Sequence, residues 1–353
     1  MVYRTVLVCV IVFVLNSVAG AVPLKKITVP NASARQAVCN DGSPAVYYFR
    51  QGTGSGSNNW IVFLAGGGFC YSVESCHERM LDTPELMTSK GKPATFVGNG
   101  ILSDLAAQNP DFFNANHVAI PYCSSDLWSG DREKSSATGG YKFRGLKIVR
   151  AIINDLRRAG NNPLFNAKRI LFSGTSAGGI GVMVHLDWLA AQFPAAEVRG
   201  VNDAGWTPAQ ILDLPIPGTA FPIQQALQLW NGKPDASCVQ ANPSRKFVCY
   251  SSAVYPDLST PLMVQMSQYD PVFLAALGVK YPFDPNEQVI ADLFASAVRD
   301  SLSNVDAALS PRTNTHGILP YRLFRGLKVN GFSLQQLLGN WFFGRPGPIK
   351  QIK

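Results

Sequence analysis

The run Gly174-Thr175-Ser176-Ala177-Gly178 most constrains this chain, because it stands where an apolar strand turns into a helix with almost no loop between them. Arg169-Ile170-Leu171-Phe172 reads as a buried strand, and a helical pattern opens near Ala177 and runs to Phe193. So sharp a reversal strains the residue at its apex, leaves no room for flanking side chains and lifts the Ser176 hydroxyl clear of the sheet. The helix N-terminus behind it favours developing negative charge. The rest of the chain alternates in the same way. Apolar strands are expected at 60–64, 118–122, 198–202 and 262–266, and helices at 141–158, 287–304 and, capped by Ser333, through Trp341. Leu146, Val149, Ile152, Ile153 and Leu156 share one face of the first of these helices, and Gly160 can close it. This alternation predicts an α/β fold, a mostly parallel sheet with helices on both faces. Residues 80–100 and 206–243 fit it poorly and read as lid-like excursions.

With 46% hydrophobic residues in 353, the chain buries a large core, which excludes disorder. Arg4, an apolar run over 6–15 and small residues ending in Ala19-Gly20-Ala21 form a secretory signal peptide over 1–21, too short to span a bilayer. The expectation is a secreted, extracellular chain whose residues 22–353 form a single domain, with no later segment apolar enough to cross a membrane. Of seven cysteines, Cys9 leaves with the leader, and the remaining six suggest three disulfides. Short spacing pairs Cys70 with Cys76 and Cys238 with Cys249, which leaves Cys39 for Cys123. No paired C-x-x-C spacing supports a zinc site. Asn31-Ala32-Ser33 is an N-glycosylation acceptor. The net charge of +8 falls to +7 without the leader, at 30 basic against 23 acidic residues. No nucleic-acid-binding pattern accompanies these basic residues, several of which (Lys142, Arg144, Lys147, Arg150, Arg157, Arg158) are expected on one helix. A solvated face accounts for them, and an acidic polysaccharide is the functional alternative.

A serine nucleophile needs a base and an acid. In the α/β-hydrolase order the acid and then the histidine follow the serine. His77 and His117 precede it, and His185 lies too far along the same helix, which leaves His316, in a loop expected after the last sheet strand. Asp270, after a strand one beyond the nucleophile strand's neighbour, is the expected acid, with Asp203 in reserve and otherwise bonding the turn at 204–206. Ala65-Gly66-Gly67-Gly68 follows an early strand and suits an oxyanion loop, since glycines let amides approach the reacting oxygen. No Lys-Ser/Thr follows, which rejects a phosphate loop.

With those residues in view, the chain resembles the pectin acetylesterase family, and especially its animal, palmitoleoyl-protein carboxylesterase (Notum) branch. The matching blocks are 39–45, Phe63-Leu64-Ala65-Gly66-Gly67-Gly68-Phe69-Cys70, 98–102, Ile120-Pro121-Tyr122-Cys123-Ser124-Ser125-Asp126 with Trp128-Ser129-Gly130, Ser176-Ala177-Gly178-Gly179, Asp203-Ala204-Gly205-Trp206 and Trp230-Asn231-Gly232. The resemblance implies an α/β-hydrolase fold, a Ser176–Asp270–His316 triad, and oxyanion amides at Gly67, Gly68 and Ala177, with no metal or other cofactor. It places substrate-binding side chains at Phe69, Trp206, Thr207 and Tyr250. Gly68, Thr207 and Ser251 stand where the lipid-cleaving branch has aromatic residues, so short acyl groups are the expectation, with Ile211, Leu214, Phe221 and Val272 as other pocket walls. The expected activity is that of a secreted serine carboxylesterase removing an acetyl or longer O-acyl group from an extracellular glycan or glycoprotein. A palmitoleoyl-protein deacylase and a non-catalytic secreted binding protein on a hydrolase scaffold are the alternatives.

Overall fold

The computed structural model describes residues 21–158, 163–213 and 222–353. The expected leader, apart from Ala21, and Gly160, Leu214 and Phe221 lie outside them. Alternation in the apolar segments sets the architecture. In β3 (Asn59–Leu64), Trp60, Val62 and Leu64 enter the core on one face, whereas Ile61 and Phe63 enter the core on the other. β6 (Arg169–Thr175) divides likewise, with Ile170 and Phe172 opposite Leu171. Strands apolar on both faces belong inside a sheet covered on both sides.

That sheet has ten strands in the order β12-β9-β8-β7-β6-β3-β5-β2-β1-β4. Its parallel portion comprises β3, β5 (Asn116–Ile120), β6, β7 (Glu197–Asp203), β8 (Leu262–Gln265), β9 (Ala307–Ser310) and β12 (Lys350–Ile352). β2 (Val46–Arg50), β1 (Leu24–Thr28) and β4 (Thr95–Phe96) extend one edge in antiparallel fashion. β10 (Lys328–Val329) and β11 (Phe332–Ser333) form a separate hairpin. One face carries α1 (Val73–Asp82), α2 (Gly145–Leu156), α3 (Ala177–Gln192), α4 (Ile223–Trp230), α5 (Ala236–Ala241), α6 (Pro271–Ala276) and α7 (Pro285–Ser301). The other carries α8 (Leu323–Gly326) and α9 (Leu334–Phe343), the latter capped by Ser333.

Several boundaries differ from the sequence expectations. Lys142 and Arg144 precede α2, because the Phe143 backbone is spent on a bridge to Arg132. Both side chains pair with Glu133, and Arg144 also with Asp131, so part of the positive charge is neutralised locally. β5 starts at Asn116 and ends before Pro121, which has no N–H for the ladder. Residues 80–100 are not all excursion, since they complete α1 and add β4 to the sheet edge. β12 follows the His316 loop and pairs with β9, so that loop comes before the last strand. The disulfides are Cys39–Cys123, Cys70–Cys76 and Cys238–Cys249, the pairs that spacing picks out. Asn31 is exposed. No described helix is long and apolar enough to cross a membrane.

Candidate active site

Ser176 stands between β6 and α3 with φ 58° and ψ −124°, a strained conformation for a residue with a side chain. Close packing explains the glycines around it. A Cβ on Gly174 would lie 2.3 Å from the Gly178 carbonyl oxygen, and one on Gly178 would lie 2.0 Å from that of Leu64. The Ser176 N–H donates to the Asp203 carbonyl at 2.7 Å, which ties the apex to the end of β7.

Beyond the ends of β8 and β9, His316 Nδ1 lies 2.9 Å from both carboxylate oxygens of Asp270. The carboxylate accepts, so Nδ1 carries a proton, and in the neutral imidazole it is Nε2 that holds the lone pair. Asp270 is fully buried, whereas the His316 side chain is 22% exposed. The acid is held by its own helix, because it caps α6 by accepting from the Val272 and Phe273 amides at 3.0 and 3.4 Å. The remaining histidines are engaged elsewhere. His77 bonds the Val73 carbonyl, His185 donates to that of Trp128, and His117 is buried against Arg50.

Asp203 does a different job from the one its sequence position suggests. Asn202, not Asp203, accepts from the Gly205 amide in the 204–206 turn. The Asp203 carboxylate accepts from Thr175 Oγ1 at 2.6 Å and from the Ile318 and Leu319 amides at 3.0–3.1 Å. Burial pushes its pKa up to about 6 against the pull of those bonds. Asp203 therefore links the residue before Ser176 to the segment just after His316. Gly317 packs into the same junction, where a Cβ would lie 2.4 Å from Thr175 Cγ2.

A cavity of about 120 Å³ lies beside Ser176, and Gly68, Phe69, Ala177, Thr207, Tyr250 and Val272 line it with the serine. The structure does not bring every expected residue there. Trp206 is buried with its indole N–H on Ser301 Oγ and its ring against Tyr255. Gly67 and Ile211 do not line the cavity, and Ser251 is turned away, bonding the Val248 carbonyl at 2.5 Å. Walls that the sequence reading missed come from Ile180, Leu212, Ile223, Phe247 and Phe273. Phe273 had a local signal in its place three residues after the helix-capping Asp270, whereas Phe247 and Ile223 reach the cavity only through tertiary folding. The result is a nearly continuous apolar wall, and Gly68 and Ala177, whose amides are the expected oxyanion donors, line the same cavity as the serine. Such a site can seat an acyl chain and stabilise an oxyanion.

A family model described as Pectinacetylesterase matches residues 18–296. The chain is 36% identical over 335 residues to the palmitoleoyl-protein carboxylesterase NOTUM of Drosophila melanogaster, covering 90% of this chain and 48% of that protein. It is 33% identical over 320 residues to the human protein of the same name, covering 86% of this chain and 63% of the relative. The chain thus spans about half the length of the fly relative and under two thirds of the human one. Pectin acetylesterase 7 of Arabidopsis thaliana is 39% identical over 188 residues, covering 53% of this chain and 46% of that protein. The structure of the Wnt deacylase Notum from Drosophila matches with a TM-score of 0.83 at 33% identity, covering 94% of this chain and 96% of that one.

Proposed function

Because this chain belongs to the pectinacetylesterase family, we propose that it is a serine carboxylesterase that removes an O-acyl group from an extracellular glycan or glycoprotein. The observation that carries this reading is the His316–Asp270 pair, held by the β8 and β9 loops at the same sheet end as the strained Ser176. Ser176 Oγ attacks the ester carbonyl while His316 Nε2 takes its proton. The tetrahedral oxyanion meets the Gly68 and Ala177 amides, and His316 returns the proton to the departing alcohol. Water then enters by the same route in reverse and releases the acid. Asp270 holds the imidazole in the tautomer that leaves Nε2 basic and stabilises the imidazolium.

The cavity favours an acyl group longer than acetyl. Gly68, Thr207 and Ser251 provide no aromatic wall, yet Phe69, Phe247 and Phe273 do. Each methylene buried against such a wall contributes about 0.8 kcal/mol, or threefold to fourfold in kcat/KM. On p-nitrophenyl esters we expect kcat/KM to climb at that rate from acetate to octanoate. A fall beyond butyrate would overturn the longer-acyl reading and favour a glycan acetylesterase, the reading that Gly68 and Thr207 support. The net charge, +7 without the leader (30 basic against 23 acidic residues), favours encounter with a polyanionic carrier, so turnover of an acylated acidic polysaccharide should weaken as salt is raised.

A further inference from the structure

An oxyanion donor is effective only if its N–H is already aimed when charge develops. The loop that carries Gly68 has little stiffness of its own, with φ +147° at Gly67 and +65° at Gly68. Its constraint comes from Arg79 on α1. The Arg79 Nη2 donates to the Gly67 carbonyl, and Nε donates to Ser125 Oγ at 2.8 Å. Nη1 lies under the next residue, where a Cβ on Gly68 would come within 3.7 Å of it. The Cys70–Cys76 disulfide ties the far end of the loop to the same helix, so the two glycines are bracketed from one element.

The guanidinium is mostly buried, and although the Glu85 charge and the Tyr122 ring, 6.0 Å from it, favour its charged form, no carboxylate among the described residues comes within ion-pair distance. A cation so placed is costly, and packing alone would be served by an apolar side chain. Its two hydrogen bonds to the loop and to Ser125 offset part of that cost. The Gly67 carbonyl and the Gly68 N–H belong to one planar trans peptide and point in opposite directions. Fixing the oxygen on Arg79 turns the Gly68 N–H away from that guanidinium, and Gly68 itself lines the cavity it shares with Ser176 and Ala177. A charge-assisted bond at the carbonyl also polarises the peptide and strengthens its N–H as a donor.

We propose that Arg79 is the positioning residue of the oxyanion hole, aiming and polarising the Gly68 amide without touching substrate. The proposal rests on the esterase reading with Ser176 as nucleophile. Its test compares wild type, Arg79→Lys, Arg79→Met and Ser125→Ala on p-nitrophenyl butyrate, with a boronic acid as the tetrahedral analogue. Removing an oxyanion donor outright costs about 10²–10³ in kcat, so a donor left in place but misaimed should cost ~10- to 100-fold in Arg79→Met. Arg79→Lys keeps the charge but cannot hold Gly67 and Ser125 together, and should fall between Arg79→Met and wild type. Ser125→Ala removes only the second anchor and should lose severalfold. In each, KM should stay within about twofold, the acid limb of the kcat/KM profile should not move, and the boronate Ki should rise in step with the loss of kcat. Should Arg79→Met fail to fold, Arg79→Lys and Ser125→Ala decide. Folded variants with kcat within about twofold of wild type would overturn the proposal, as would losses that fall on KM or leave the boronate Ki unmoved. Wild-type hydrolysis that survives Ser176→Ala would instead overturn the esterase reading, whatever the Arg79 variants do.

Discussion

Asp203 and Asp270 are buried carboxylates near the ends of adjacent strands, and their hydrogen bonds separate their roles. Asp270 meets His316 Nδ1 with both oxygens, whereas Asp203 is saturated by Thr175 and two backbone amides. We expect Asp270→Asn to lower kcat by about 10⁴, because an amide nitrogen facing Nδ1 favours the wrong tautomer. Asp203→Asn sets an amide among three donors, which should destabilise the fold by about 1–3 kcal/mol and lower kcat far less. Steady-state kinetics beside thermal melts would check both, and equal kcat losses would move the acid to Asp203. Chain order alone points to Asp270 and His316, which the structure pairs, and to the elbow at Ser176, because a strand-to-helix turn and the residues that follow later strands are local patterns. The link from Asp203 to Ile318 and Leu319 was not legible, since it joins segments far apart in sequence. Trp206 was misplaced for a related reason, as its indole N–H found a buried partner in Ser301 on α7.

At the scale of elements, the strands and helices were legible because periodicity reports burial directly. Their ends were not, because ends depend on partners. The bridge between Phe143 and Arg132 delays α2, and two residues at 95–96 become an edge strand only because β1 lies open beside them. The helix behind the nucleophile is apolar nearly all round and carries His185 fully inside the core. Burial pulls His185 from its ordinary 6.5 down to about 4, against the bond it donates to the Trp128 carbonyl. The native state therefore binds fewer protons here than the unfolded chain. Its contribution to stability is complete above pH 6.5 and is lost as the pH falls toward about 4. Between pH 7 and 5 that loss is on the order of 2 kcal/mol. In His185→Gln, the drop in melting temperature between those pH values should be smaller than in wild type. An unchanged drop would show that His185 is not held neutral.

The whole molecule brings together what no segment holds. The cavity takes walls from the glycine loop after β3, from α3, from the residues following β7 and from α6, and only the folded sheet places them around one serine. For that reason acyl length was the least legible property in the sequence. Single positions such as Thr207 and Ser251 suggest an open pocket, whereas Phe247 and Phe273 line it from elsewhere in the chain. The central claim concerns one atom, Ser176 Oγ, as a covalent nucleophile. Its most direct test treats the protein with a fluorophosphonate, follows residual hydrolysis of p-nitrophenyl butyrate, and locates the adduct by peptide mass spectrometry. One phosphonyl group on the peptide containing Ser176, appearing in step with loss of activity, is the predicted result. Ser176→Ala should gain no adduct and lose on the order of 10⁶ in kcat. An adduct on another residue, or hydrolysis that persists in Ser176→Ala, would contradict the account.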